Sequence, residues 1–472
     1  MDRRLAPLVS ILAVLSLLAY LVVIPGRLTF PFALEWQEGG MLAHVLRLGS
    51  EAPLYAAPNL EFSAFPYPPV FYWAAAGVSF VTGANFIALR LVSVIASLGI
   101  LWMLACSARR EGGSWVPGLV AAGLFAAAFS WSGAWLDVGR VDSLALALTL
   151  GSLLMVQRGV STRDAVAAGI LAGLAVLTKQ TALLPAGALA LTLCCQGWRR
   201  WKAFALGLVV VAGGGLVGLH VTSEGWSSWY LFELLGSHPW HSPKILGFWT
   251  EDMLWFAPLV LALLWARRSS VQDGGASLAW CAGLLLSAWL GRAHLGGFDN
   301  TLMPAALALA YLGGQLVGVV RESGGPGVAW VLGAVGLQFA LLLEDPRDHL
   351  PKADALARGE AVVRALEQID GPIFAPYQPH LAVRAGAGWS AHAMTFFDFS
   401  AADLGEVGED LFRELRAALT EGRYRAVLLA DEEPFAPLLG PDYRRATADE
   451  FPAHVALPLT GSPYGPRLLY LR

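Results

Sequence analysis

Charge is scarce in this chain. Of 472 residues only 14% are Asp, Glu, Lys or Arg, while 56% are hydrophobic. A soluble domain of this length carries far more charge. Cysteine is scarcer still: Cys106, Cys194, Cys195 and Cys281 all lie in or beside apolar runs. No disulfide framework or CxxC metal site follows from that placement. A net charge of −4 excludes nucleic acid as an evident partner. No GxxxxGK[ST], GxSxG or HExxH occurs, so nucleotide-driven pumping and the familiar soluble hydrolases lack support. Gly213-x-Gly215-x-x-Gly218 matches GxGxxG, but it sits inside an apolar span and reads as helix packing.

Long apolar runs recur from Leu5 to Leu343. They predict a polytopic α-helical membrane protein with about 11 spans. The spans fall near 5–25, 84–106, 115–131, 142–157, 165–178, 181–197, 203–222, 251–266, 276–291, 301–320 and 327–343. MDRR before the first span resembles a signal n-region, but no small-residue cleavage site follows, so the first helix reads as retained. The stretch 66–82 is apolar yet opens with Pro66, Pro68 and Pro69. Basic residues settle the parity. Arg3/Arg4, Arg109/Arg110, Arg158/Arg163, Arg199/Arg200/Lys202, Arg267/Arg268 and Arg321 share one side only if 66–82 does not cross. It then belongs to a long external loop, 26–83, with the N-terminus cytoplasmic. A transmembrane domain spanning residues 1–343 is followed by 344–472, whose composition changes. Helix-like stretches (Ala355–Ile369, Glu409–Glu421) and short apolar runs (Pro372–Ala375, Ala426–Ala430, Leu468–Leu471) predict a small C-terminal α/β domain on the outer side. It has no cysteine, so it leans on the transmembrane domain for support.

The distinctive polar residues concentrate at the external connections. Glu35 and Glu38, in FALEWQEGGM, are three residues apart and share a face if helical. They suit a general base plus a substrate-binding group, or two solvated loop acids. Tyr67 stands in FPYPPVFYW, where prolines impose a fixed path over the membrane. Asp137-x-x-Arg140-x-Asp142 offers an arginine for a phosphate, oriented by a carboxylate, or an interfacial ion pair. Arg90 offers a similar cation, or a snorkelling one. Lys179, in LTKQT, has no place at a span end unless it meets water or an anion. Asp299 and Asn300 follow a Gly-Gly turn in GGFDN, near Arg292 and His294. His238-x-x-His241 has the look of metal ligands, but Pro239 breaks helical spacing and no third ligand is evident.

In order along residues 1–310, the acidic pair, GSEAPLY, FPYPPVFYW, Arg90, GRVDSLALAL, LTKQTALL and GGFDNTLMPA resemble the integral-membrane glycosyltransferases of the GT-C class. The nearest groups are the bacterial family 39-like proteins, relatives of the protein O-mannosyltransferases and lipid A aminoarabinose transferases. The resemblance implies a multi-pass protein of a bacterial inner membrane. It implies transfer of a hexosyl or pentosyl group from a polyprenyl-phosphate-linked donor to a glycan, lipid or protein acceptor on the periplasmic face, usually with inversion. In relatives the acid of the first external loop is the candidate base. Here that is Glu35 or Glu38, and the residues leave both open, because Gln37 stands where an adjacent Asp-Glu pair is common. Donor-phosphate and substrate-binding roles carry over to Arg90, Arg140, Asp142, Lys179, Tyr67, His238, Asp299 and Asn300. No cofactor is predicted; a divalent metal varies across the class and stays open. The rival readings are a transporter or lipid flippase, and a non-catalytic membrane scaffold. The first of these predicts ionisable groups at mid-bilayer and an internal repeat.

Overall fold

A computed structural model describes residues 2–107, 114–159, 161–266, 275–323, 327–401, 404–451 and 458–472. Helices dominate. The apolar runs become α1 (Asp2–Leu28), α4 (Phe86–Ser107), α5 (Val116–Ala127), α6 (Asp142–Arg158), α7 (Thr162–Val176) and α8 (Leu183–Gln196), with α2 (Glu38–Leu48) and α3 (Val70–Thr82) inserted after the first. They continue as α9 (Trp198–Thr222), α10 (Ser242–Ala266), α11 (Gly275–Ala293), α12 (Met303–Ser323) and α13 (Gly327–Leu341). By length and composition 6 of these helices could cross a membrane alone; several others are shorter apolar helices. Three expected boundaries move by four residues or more. The spans expected at 251–266 and 203–222 start at Ser242 and Trp198, and the one expected at 115–131 stops at Ala127. Beyond Ala127 the chain leaves the helix, and residues 128–141 carry Asp137 and Arg140 in irregular backbone.

Glycines set the closest helix approach. A Cβ on Gly169 or Gly207 would run into the backbone of the facing helix, so α7 and α9 pack in near backbone contact. Gly215, from the GxGxxG match, packs against the Leu177 side chain in the same way.

Helix α3 starts and ends at the same end of the bundle. Its first N–H, on Val70, donates to the Leu177 carbonyl (3.1 Å). Beyond its last turn, Phe86 at the start of α4 packs against His380 of the C-terminal domain (4.9 Å between ring centroids). Phe80 and Val81 are 91% and 89% exposed. Side chains this apolar and this bare suit contact with lipid.

The C-terminal domain holds α14 (Ala355–Glu367), α15 (Pro379–Arg384), α16 (Ala393–Ala401) and α17 (Gly405–Thr420) around strands β1 (Ile373–Phe374), β2 (Ala426–Leu429), β3 (Arg444–Arg445) and β4 (Leu468–Leu471). The sheet order is β1-β2-β4-β3 and the sheet is mixed. β1 and β2 are parallel; β2–β4 and β4–β3 are antiparallel. Strand β3 and helices α15 and α16 were not legible as periodic runs. β3 is two exposed arginines at the sheet edge, where charge blunts an open edge.

Strand β2 is buried on both faces, and its alternation sorts two cores. Val427 and Leu429 join Phe374, Phe396 and Phe435 on one side; Ala426 and Leu428 join Ile373 and Val362 on the other. Each core is completed by the first long loop. Phe30, Phe32 and Leu34 close the second core, while Trp36, Tyr55 and Leu60 close the first. Gly359 of α14 has no side chain because the Phe32 ring occupies that space. Removing this ring should therefore loosen the C-terminal domain. Phe32→Ala is expected to cost about 3–5 kcal/mol, read as a lower unfolding midpoint in detergent and earlier proteolysis of the C-terminal domain.

Candidate active site

The acidic pair of the first loop divides into two unlike groups. Glu38 opens α2, where the positive dipole end of the helix favours a carboxylate. Its Oε1 accepts from Arg90 Nε (3.0 Å) and from the Gly139 N–H (2.7 Å). Its Oε2 accepts from Arg90 Nη2 (2.7 Å) and from the Leu34 N–H (2.7 Å). Every favourable lone-pair site is used. The rest of Arg90 is equally committed: its remaining N–H groups donate to the carbonyls of Arg27 (2.9 Å), Phe30 (2.5 Å) and Phe32 (2.6 Å). Both side chains are 0% exposed. Burial pushes the Glu38 carboxyl up, but Arg90 and the two backbone N–H groups more than offset it and hold it below its ordinary value.

Glu35 is in the extended segment before α2, not on its face, so the two acids do not share a helix. Its Oε2 accepts from Arg140 Nη1 (2.7 Å) and from the Gln37 N–H (3.1 Å). Its Oε1 has no partner. Arg140 donates from Nη2 to the Tyr67 hydroxyl (3.0 Å) and leaves Nε unpartnered. The Tyr67 and Trp135 rings flank the guanidinium, 5.5 Å and 5.8 Å from its carbon. The carboxylate that orients Arg140 is thus Glu35. Of the two aspartates in the cluster that offered a carboxylate for that role, Asp137 instead binds Arg27 through two hydrogen bonds (2.7 and 2.8 Å). Burial raises the Glu35 carboxyl to about 7, although Arg140 pulls the other way.

These groups line a cavity of about 780 Å³ at one end of the bundle. Its titratable lining is Glu35, Tyr67, Arg140, Lys179, His238, His294, Asp398 and Tyr464. Lys179 lies in the break between α7 and α8 and donates to Asp142 Oδ1 (2.6 Å). Asn300 donates to the same oxygen (3.1 Å). Asp142 thus stands behind the lysine and the amide, and its Oδ2 is unpartnered. Leu184, Leu231, Leu235, Leu290 and Leu295 supply a broad apolar wall. The floor comes from the helical bundle. The roof comes from Met394, Phe397, Asp398, Gly461, Ser462 and Tyr464 of the C-terminal domain.

Arg90 and Asp299 are not in this lining. Arg90 was expected to meet a phosphate, but its guanidinium is consumed by Glu38 and by carbonyls. Asp299 was expected to touch substrate; it is held by Arg292 Nη1 (2.8 Å), which also binds Asp252. His238 does line the cavity, with its Nε2–H donating to the Asp398 carbonyl oxygen (3.2 Å). Asp398, Trp135, Gly461 and Tyr464 escaped the sequence reading. Asp398 had a faint signal: a lone carboxylate in the aromatic run FFDF. It is buried, and desolvation raises it to about 8.

A family model described as dolichyl-phosphate-mannose-protein mannosyltransferase matches residues 67–226. The whole chain superposes on ArnT from Cupriavidus metallidurans in the apo state, with TM-score 0.59, 14% identity, and 98% of this chain and 97% of that chain covered. The same enzyme bound to undecaprenyl phosphate gives TM-score 0.57 over the same shares. This chain has the GT-C glycosyltransferase fold. No curated protein matches it by sequence. Within the GT-C fold, the family-model match includes Tyr67, Arg140 and Lys179, which line the cavity, and Asp142, which stands behind Lys179 outside the lining where substrate contact was expected of it.

The two acids should respond differently to neutralisation. Glu38→Gln replaces an acceptor with a donor against Arg90 and leaves a buried guanidinium unpaired. It is expected to cost about 3–5 kcal/mol, read as lost thermal stability in detergent. Glu38→Gln with Arg90→Met should recover some of that loss. Glu35→Gln also removes the counter-ion of a buried arginine, Arg140, but it breaks one charged hydrogen bond where Glu38→Gln breaks two, so it should lower the unfolding midpoint by less.

Proposed function

We propose that this protein transfers a sugar from a polyprenyl-phosphate-linked donor to an acceptor hydroxyl, with Glu35 as the general base. The carrying observation is the juxtaposition in one cavity of an unpartnered carboxylate oxygen, Glu35 Oε1, with two cationic side chains, Arg140 and Lys179. The fold shared with an enzyme bound to undecaprenyl phosphate supports a lipid phosphate as the donor's carrier.

The chemistry follows from the lining. The Glu35 carboxylate takes the proton of the acceptor hydroxyl as that oxygen attacks the anomeric carbon. The bond between this carbon and the phosphate oxygen breaks on the opposite face, so the configuration inverts. Negative charge gathers on the departing phosphate. Arg140 has a spare N–H group and Lys179 has an ammonium to receive it, in a site largely shielded from water. Asp142 and Asn300 hold the lysine side of that clamp. The apolar wall suits the first isoprene units of the carrier. A carboxyl raised to about 7 is a stronger base than an ordinary one, and a large share is ionised at neutral pH.

The site end would face the periplasm. Arg158, Arg163, Arg199, Arg200, Lys202 and Arg321 stand at the other end of the helices, which the positive-inside bias assigns to the cytoplasm.

Purified protein incubated with a panel of polyprenyl-phosphate sugars and hydroxyl acceptors should form a glycosylated product and release polyprenyl phosphate. Glu35→Gln should lower kcat by about 100-fold or more while the protein stays folded; near-wild-type turnover would remove Glu35 as the base. The wild-type rate should rise with pH and level off above a midpoint of about 7, because only the ionised Glu35 accepts a proton.

A further inference from the structure

The residues nearest the free oxygen of Glu35 include a segment of the C-terminal domain. Thr460 pairs with Glu35 as an isolated parallel bridge. Its N–H donates to the Leu34 carbonyl (3.1 Å), and its hydroxyl donates to the carbonyl of Gly133. One short segment therefore ties the loop before α2 to the irregular stretch that carries Trp135 and Arg140. Farther along, the Tyr464 carbonyl accepts from Gln378 Nε2 (2.9 Å), which anchors the segment to the C-terminal domain beside α15.

Gly461 makes the close approach. Its φ is +75°, a conformation glycine adopts readily. A Cβ there would lie 3.0 Å from Glu35 Cγ and 3.0 Å from Oε1, and 3.3 Å from the Trp135 ring. The missing side chain leaves the room that the Glu35 carboxylate occupies. Oε2 then meets Arg140 and the Gln37 N–H, while Oε1 is left free. The charged groups facing Glu35 among the described residues are Arg140 and Glu38. The strap brings no charge of its own; it acts by contact and by keeping water out.

We propose that Thr460 and Gly461 form a strap that positions the Glu35 carboxylate, so that the base is competent only with the C-terminal domain seated on the bundle. This rests on the reading of Glu35 as the base, but its geometry can be tested apart from turnover. Both are positioning residues, since they act through Glu35.

The test is infrared difference titration of the full-length protein in detergent, with no ligand present. The Glu35 carboxyl band is identified by its loss in Glu35→Gln. Gly461→Ala and Thr460→Val should each move the midpoint of that band by about one pH unit, a tenfold change in proton affinity. Thr460→Ser keeps the hydroxyl and should restore the wild-type midpoint. With the donor and acceptor pair that the wild type uses, Gly461→Ala should lower kcat by about 10- to 100-fold and leave KM nearly unchanged. A wild-type midpoint in Thr460→Val, or a Thr460→Ser midpoint as displaced as that of Thr460→Val, overturns the strap. If Gly461→Ala fails to fold, the Thr460 pair still decides. The two readings fail separately. An active Glu35→Gln removes the base assignment, whereas an inactive Glu35→Gln beside unmoved midpoints removes only the strap.

Discussion

The Glu38–Arg90 pair is the interaction on which the working end of this protein depends. Two opposite charges with no exposure to water are costly to bury, and they persist because every hydrogen-bonding site on each is filled. The partners that fill them are mostly backbone groups of residues 27–34 and of Gly139. The pair thus acts as a clamp on irregular chain. It fixes the path of the loop leaving α1, and it brings the 128–141 stretch against the start of α2. Glu35 and Arg140 meet because both are carried by segments that this clamp holds.

A second consequence is the way the C-terminal domain is built. Its sheet cannot be covered on either face by its own helices alone. Phe30, Phe32 and Leu34 complete one core, and Trp36, Tyr55 and Leu60 the other. The first loop is thus at once a wall of the cavity and a piece of the core of the roof. Apolar burial on both sides of the sheet keeps the roof seated, and the seated roof shields Glu35 from water. Desolvation then leaves the carboxyl near neutrality in affinity, while Arg140 keeps it from rising further.

Much of this was legible from pattern. Apolar run length gives the helices. Short apolar runs marked β1, β2 and β4, which are buried among the cores except for the half-buried end of β4. The misses have physical causes. β3 has no apolar signature because it is an exposed edge. Asp137 and Arg140 look like a local pair by spacing, but irregular backbone after Ala127 turns them to different partners: Arg27 for one, Glu35 for the other. Arg90 reads as a free cation because its acceptors are carbonyls, and carbonyls are invisible in a sequence.

Hydropathy and charge bias were enough to specify a helical membrane protein with its ionisable groups gathered at one set of connections. Both are local properties, and bilayer thickness converts them directly into spans. Which acid is structural and which is free emerged only from the folded chain. That choice depends on how many donors converge on each carboxylate. For Glu38 they come from Leu34, Arg90 and Gly139, up to 101 residues away. For Glu35 one oxygen is left beside Gly461, at the far end of the chain. Spacing of three residues said nothing about it, because the pair does not sit on one helix.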